Sequence, residues 1–156
     1  MIYLAIFALV LVVLYLLGNK SVHTEILIDK SPDTVWEVLV QTDAYKDWNP
    51  VMELLEGKLK QGNQVKYRFT QDKDNVSYIS STVKTVIPHE LLHQGGGLAF
   101  VITFDHKYIL EAKGNMTKLS IHEQYKGIYV NFWNPKPVEL AYQRLNEAIK
   151  NRVESL

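Results

Sequence analysis

His89-Glu90-Leu91-Leu92-His93 matches H-E-x-x-H, the spacing with which two histidines on one helix face bind zinc while the glutamate acts as a general base. That chemistry needs a helix. Pro88 stands just before the motif and Gly95-Gly96-Gly97 just after it, leaving a helix of less than about two turns. In a strand the two histidines would share a face but stand ~13 Å apart, at about 3.3 Å per residue, too far for one ion to bridge. The longer metzincin pattern would want a histidine at position 99, which is Ala99, and an acidic ligand at Glu111 would come from a strand-like run. The segment therefore reads as a short strand with one or two exposed histidines, and no metal site is expected. The chain has no cysteine, which removes disulfides, thiol nucleophiles and cysteine-bound metals.

His106 and Glu123 form the more informative pair. Phe100, Ile102, Phe104, His106, Tyr108 and Leu110 alternate with more polar neighbours, so this set should face inward. Leu119, Ile121, Glu123 and Tyr125 form the matching set downstream. A glycine-first type II′ turn at Gly114-Asn115 sets Lys113 opposite Met116. Counting back from that turn, Leu110 meets Leu119, Tyr108 meets Ile121, Phe104 meets Tyr125, and His106 meets Glu123. An isolated charge on such a face is costly, whereas a hydrogen-bonded pair is tolerable. Three roles fit: a structural pair that pins the sheet, an anchor for the polar end of an apolar ligand, or His106 as acid or base oriented by Glu123. No nucleophile or oxyanion donor accompanies the pair in the sequence.

The elements that must position this pair can be read by period. Residues 22–28 alternate as a strand. Ser31, Pro32 and Asp33 suit the start of a helix whose buried side holds Val35, Trp36, Val38 and Leu39. A short second helix covers 44–48 and ends at Asn49-Pro50, with Asn49 as its cap. Strand-like segments follow at 52–59, 64–71, 77–87, 91–95, 100–111 and 117–127, with turns that include Gly95-Gly96-Gly97. Val138, Ala141, Tyr142, Leu145, Ile149, Val153 and Leu156 recur at three and four residues, as in a long amphipathic helix. The order is one strand, two helices, six strands and a long helix: an α+β meander whose inner face the helices must cover.

The length suggests one main domain, and the net charge of zero gives no reason to expect a nucleic-acid partner. The opening residues, MIYLAIFALVLVVLYLL, carry no charge and would span ~25 Å as a helix, near the lower limit for a bilayer core. With no basic residue before the run and a poor cleavage site after it, residues 1–18 are expected to be an uncleaved transmembrane anchor, with a membrane contact through 1–17. Lys20 and Lys30 follow the run, so the positive-inside rule predicts a single-pass protein with its domain, residues 22–156, in the cytoplasm.

Several stretches resemble the polyketide cyclase and START-like superfamily. Ser31-Pro32-Asp33-Thr34-Val35-Trp36 is similar to that superfamily's A-P-x-x-V-W helix entry, and Tyr45-Lys46-Asp47-Trp48-Asn49-Pro50 to its Y-x-x-W-N-P segment. Residues 104–111 and 119–127 resemble its last hairpin, and 145–150 its closing helix. The resemblance covers 22–156 and implies a helix-grip fold: a curved antiparallel sheet wrapped on a long C-terminal helix, with a cavity between them that in many members binds hydrophobic molecules. Fold does not settle activity.

The leading expectation is a membrane-tethered module for a hydrophobic or amphiphilic, lipid-like molecule, working without a cofactor. An enzyme of cyclase, dehydratase or hydrolase type using His106 and Glu123 is the alternative. A filled-core interaction protein is the third. The expected cavity residues are Tyr67, Phe69, Ile79, Val83, Phe104, His106, Tyr108, Ile121, Glu123, Tyr125, Tyr142, Leu145 and Ile149.

Overall fold

The computed structural model describes residues 2–156. Helix α1 (Ile2–Leu17) leads directly into strand β1 (Asn19–Ile28). Helix α2 (Pro32–Val40), a 3-10 turn (Thr42–Ala44) and helix α3 (Tyr45–Trp48) follow. The meander is β2 (Met52–Glu56), β3 (Gln64–Thr70), β4 (Val76–Ile87), β5 (Leu91–Leu98), β6 (Ile102–Lys113) and β7 (Met116–Lys126). A second 3-10 turn (Ile128–Phe132) precedes helix α4 (Lys136–Glu154).

Among the described residues the seven strands form one antiparallel sheet in the order β1-β7-β6-β5-β4-β3-β2. Every neighbour except β1–β7 is joined by a hairpin, so α2 and α3 carry the chain from one edge of the sheet to the other. Val65, Tyr67 and Phe69 on β3, Tyr108 and Leu110 on β6, and Leu119, Ile121 and Tyr125 on β7 point to the core at period two. The α4 stripe Val138, Ala141, Tyr142, Leu145, Ile149 and Val153 covers them at period 3.6, and Val35, Trp36, Val38 and Leu39 of α2 close one end. This is the expected α+β helix-grip arrangement.

The β6–β7 register agrees with the sequence reading at every position named: Lys113 faces Met116, His106 faces Glu123, and Phe104 faces Tyr125. Gly114 has φ 64 while Asn115 stays out of the left-handed region, which is type II′ rather than type I′ geometry.

Several expectations are corrected. The anchor helix is 16 residues long over its described part, ~24 Å against a hydrocarbon core of about 30 Å. No described helix is long and apolar enough to cross a membrane. The single-pass placement and the cytoplasmic orientation argued from it therefore fall, and the membrane contact through 1–17 is left without support; Met1 lies outside the described residues. The last turn of α1 instead meets the chain's own surface: the Asn131 side chain donates to Leu14 O at 2.7 Å, and Tyr15 lies 5.4 Å from the Phe100 ring. Gly95-Gly96-Gly97 is strand rather than turn, because pairing with β6 runs on to Leu98↔Ile102. The reversal falls just beyond, so Phe100 sits there at φ 66 with its ring exposed rather than inward. Asn49 caps α3 as expected, its backbone N–H donating to Tyr45 O at 2.7 Å, but its side chain does more. Its Oδ1 accepts from the backbone N–H of Val51 and Met52 at 3.0 and 2.8 Å and steers the chain into β2. Helix α4 ends at Glu154, leaving Leu156 outside the buried stripe.

Candidate functional site

The H-E-x-x-H segment comes apart in space. His89 lies in the turn before β5 at φ 67, with Nδ1 2.9 Å from Asp33 Oδ1. His93 is on β5, and its Nε2 is 2.8 Å from Asp105 Oδ1 on the outer sheet face. Only the second histidine belongs to the strand, contrary to the expected strand over the whole motif, and each faces its own carboxylate. A depression of about 750 Å³ beside these groups is open to solvent.

Inside the sheet, β6 delivers His106 and β7 delivers Glu123, both almost wholly buried. His106 Nδ1 is 3.7 Å from Glu123 Oε1, a charge contact rather than a hydrogen bond. Glu123 Oε2 accepts short hydrogen bonds from two phenols, Tyr125 OH two residues along β7 and Tyr142 OH on α4. Tyr142 also stacks edge-on against the imidazole, with ring centroids 5.2 Å apart, and Tyr108 does so at 4.7 Å. One carboxylate thus ties the C-terminal helix to the last two strands.

Burial alone would raise the Glu123 pKa, but the His106 contact and the two phenol hydrogen bonds lower it by more, so the carboxyl is held below its usual range and is ionised at neutral pH. The phenols move the other way. Burial, then the adjacent Glu123 charge, pushes Tyr142 and Tyr125 well above the ordinary tyrosine value, so both remain donors. Tyr67, raised chiefly by burial, donates to Gln94 Oε1 at 2.9 Å.

One polar atom of this cluster is left over. His106 Nε2 is buried and has no hydrogen-bond partner among the described residues. With Nδ1–H turned to a carboxylate, Nε2 of a neutral ring is an acceptor, and of a protonated ring a donor. His106 lines a small cavity of about 30 Å³, room for about one water-sized group.

Of the expected residues, Tyr67, Phe69, Ile79, Phe104, His106, Glu123 and Tyr142 meet at this cavity. Val83, Tyr108, Ile121, Leu145 and Ile149 do not; they are packed in the core behind it. Tyr125 stands to one side, bonded to Glu123. Met52, Ser81 and Gln94 complete the wall; Met52 and Gln94 were not anticipated, while Ser81 shares the inner face expected of Ile79 and Val83. Ser81 and Gln94 are polar residues at inward strand positions, and the inward parity of β4 and β5 was the available signal.

No protein-family profile matches the chain, and no curated protein is recognisably similar to it in sequence. Solved structures are similar. Protein CV1439 from Chromobacterium violaceum superposes with TM-score 0.70 at 16% identity, covering 86% of this chain and 97% of that one. The Zhui aromatase/cyclase from Streptomyces sp. R1128 gives 0.69 at 16% identity, covering 87% and 94%. Ara h 8.0201 gives 0.66 at 15% identity, covering 89% and 100%. The fold is that of the polyketide cyclase and START-like superfamily. At these identities the likeness is one of architecture, and this helix-grip chain's chemistry must be argued from its own residues.

Proposed function

We propose that this helix-grip protein binds a hydrophobic or amphiphilic small molecule between the sheet and α4, with the polar end of that molecule hydrogen-bonded to His106 Nε2. The observation that carries the reading is a buried, unpartnered nitrogen on a residue that lines the cavity. A polar atom removed from water without a partner costs about 1–3 kcal/mol, and a ligand group placed there removes the cost. A hydroxyl suits it in either protonation state, since it both donates and accepts. Around that point the walls are mostly apolar: Met52, Phe69, Ile79 and Phe104. The shared architecture with an aromatase/cyclase is consistent with the reading without assigning the ligand.

The test uses the full chain with two probes, 2-naphthol and naphthalene, followed by fluorescence titration. The hydroxylated probe should bind at least about tenfold more tightly, the equivalent of one hydrogen bond of about 1.4 kcal/mol. His106→Asn is the informative variant. Its amide can still donate toward Glu123 from near the Nδ1 position, but nothing replaces Nε2. The preference for 2-naphthol should vanish while the fold is retained by circular dichroism. Equal preference in wild type and His106→Asn, or no binding of either probe, overturns the reading.

A further inference from the structure

A space of about 30 Å³ accepts a hydroxyl but no carbon skeleton. If His106 holds the head of a ligand, its body must lie elsewhere, and the sheet has an opening in the right place. Strand β4 pairs with β3 from Val76 onward, but with β5 only from Ser81, opposite Gly96. The last residues of β5, Gly97 and Leu98, stay with β6 opposite Thr103 and Ile102. The sheet therefore splits, with β4 residues Val76 to Ser80 unpaired on the β5 side.

Glycine makes the split possible. Gly97 has φ 100, a conformation that turns β5 away from β4 and that side chains rarely adopt. A Cβ at Gly96 would lie 2.4 Å from Ser80 O and about 3 Å from the Phe104 ring, so the strands meet closely at the base of the split. Beyond that base lies a groove of about 430 Å³, walled by Tyr78, Ile79, Ile102, Phe104 and Tyr125. Ile79 and Phe104 belong both to this groove and to the inner cavity. They are the partition between the two spaces, and both are only partly buried, unlike the packed core around them.

We propose that the groove at the split end of the sheet is the outer half of the binding site, taking the apolar body of a hydroxyl-headed molecule, and that Phe104 is the gate that swings aside to join it to the inner cavity. This rests on the binding function proposed above. The occupant follows from the two halves: one hydrogen-bonding head at His106, then a flat or branched hydrocarbon body among aromatic and aliphatic side chains. Phe104 suits the role of gate because its ring lies against a glycine, Gly96, on one side and open groove on the other, so a rotamer change meets no bulky side chain at Gly96.

The experiment measures 2-naphthol binding to the full chain by stopped-flow and equilibrium fluorescence in three variants. Phe104→Ala removes the gate and should speed association by about tenfold or more. Ser80→Trp places a large ring at the groove from an exposed position outside the core and should weaken binding by at least about tenfold. His106→Asn reports separately on the head. Faster association in Phe104→Ala together with weakened binding in Ser80→Trp supports the outer site and its gate. If both variants behave as wild type while His106→Asn still abolishes the preference for the hydroxyl, the groove and gate are wrong and the binding function stands. If His106→Asn also has no effect, both are wrong. Circular dichroism on each variant confirms that the fold is intact.

Discussion

Glu123→Ala tests whether one ionised carboxylate holds the last two strands and α4 together. The substitution leaves the hydroxyls of Tyr125 and Tyr142 buried without their acceptor. Each such donor costs about 1–3 kcal/mol, and truncating one partner of a buried charged group costs about 3–5 kcal/mol in total. For a chain of this size that corresponds to roughly 6–20 °C in Tm, at about 2–4 °C per kcal/mol. The acid dependence is the sharper readout. Glu123 titrates below its ordinary value: burial opposes this, but His106 and the two phenols outweigh burial. A carboxyl with a depressed folded pKa contributes stability that is fully present above its unfolded value of about 4.3 and is lost as pH falls toward the folded one. Wild type should therefore lose stability below about pH 4.3 with an added slope of up to ~1.4 kcal/mol per pH unit, and Glu123→Ala should lack that component. Urea melts between pH 3 and pH 7, on both proteins, measure it. A loss under about 1 kcal/mol at pH 7, or identical acid slopes, would refute the account of an ionised hub.

Two further predictions separate core from cavity and inner from outer face. Leu145 is fully buried on α4 but does not line the cavity, so Leu145→Ala should cost about 2–5 kcal/mol in denaturant melts while 2-naphthol affinity stays within about twofold. A larger change in affinity would place it at the ligand. On the outer face Asp105 is pulled down to about 2, burial opposing and the Lys84 and His93 contacts prevailing, so its stabilisation is present above about pH 3.9 and fades as pH falls toward 2. Asp105→Asn should flatten stability across that window and cost about 1 kcal/mol or less at pH 7, since the group is partly exposed; an unchanged acid profile counts against the assignment.

The hairpin carrying His106 and Glu123 was legible because two independent local rules agreed: inward alternation on both strands and a glycine-first turn between them. That agreement leaves one register, since a slip of one residue would turn Glu123 outward and Lys118 inward. The cavity was legible only by face. Val83, Tyr108, Ile121, Leu145 and Ile149 share the inward parity of Tyr67 and Phe104, and period two says nothing of where along a strand packing leaves a void. Gln94 was missed because it stands beside three glycines that look like a turn, whereas pairing with β6 holds them in the sheet. The first helix was misjudged because its uncharged, apolar composition outweighed a length that was already at the lower limit for a bilayer. Gly18 lies against the Gly127 backbone, where an added Cβ would be 1.9 Å from the carbonyl oxygen, and β1 starts at Asn19.

The partition of hydrogen bonds within the cluster argues for a ligand more strongly than the cluster's existence does. A polar group buried to fix a register has every reason to be fully satisfied, since a partly satisfied network is worse than an apolar core. Glu123 comes nearer to that standard, with two phenol donors on Oε2 and an imidazole 3.7 Å from Oε1. His106 is further from it: Nδ1 lies beside the carboxylate, and Nε2 is buried with no hydrogen-bond partner among the described residues. A phenylalanine at the same position would lack the orphan nitrogen and could pack edge-on against Tyr108 and Tyr142, but it would take the imidazole away from the buried Glu123 carboxylate. Nε2 itself is unfavourable in the empty fold, and the hydrogen-bonding head of the proposed ligand would offset that cost. The split between β4 and β5 follows the same logic, since it forgoes strand pairing at the one place where Phe104 and Ile79 separate that nitrogen from an open groove.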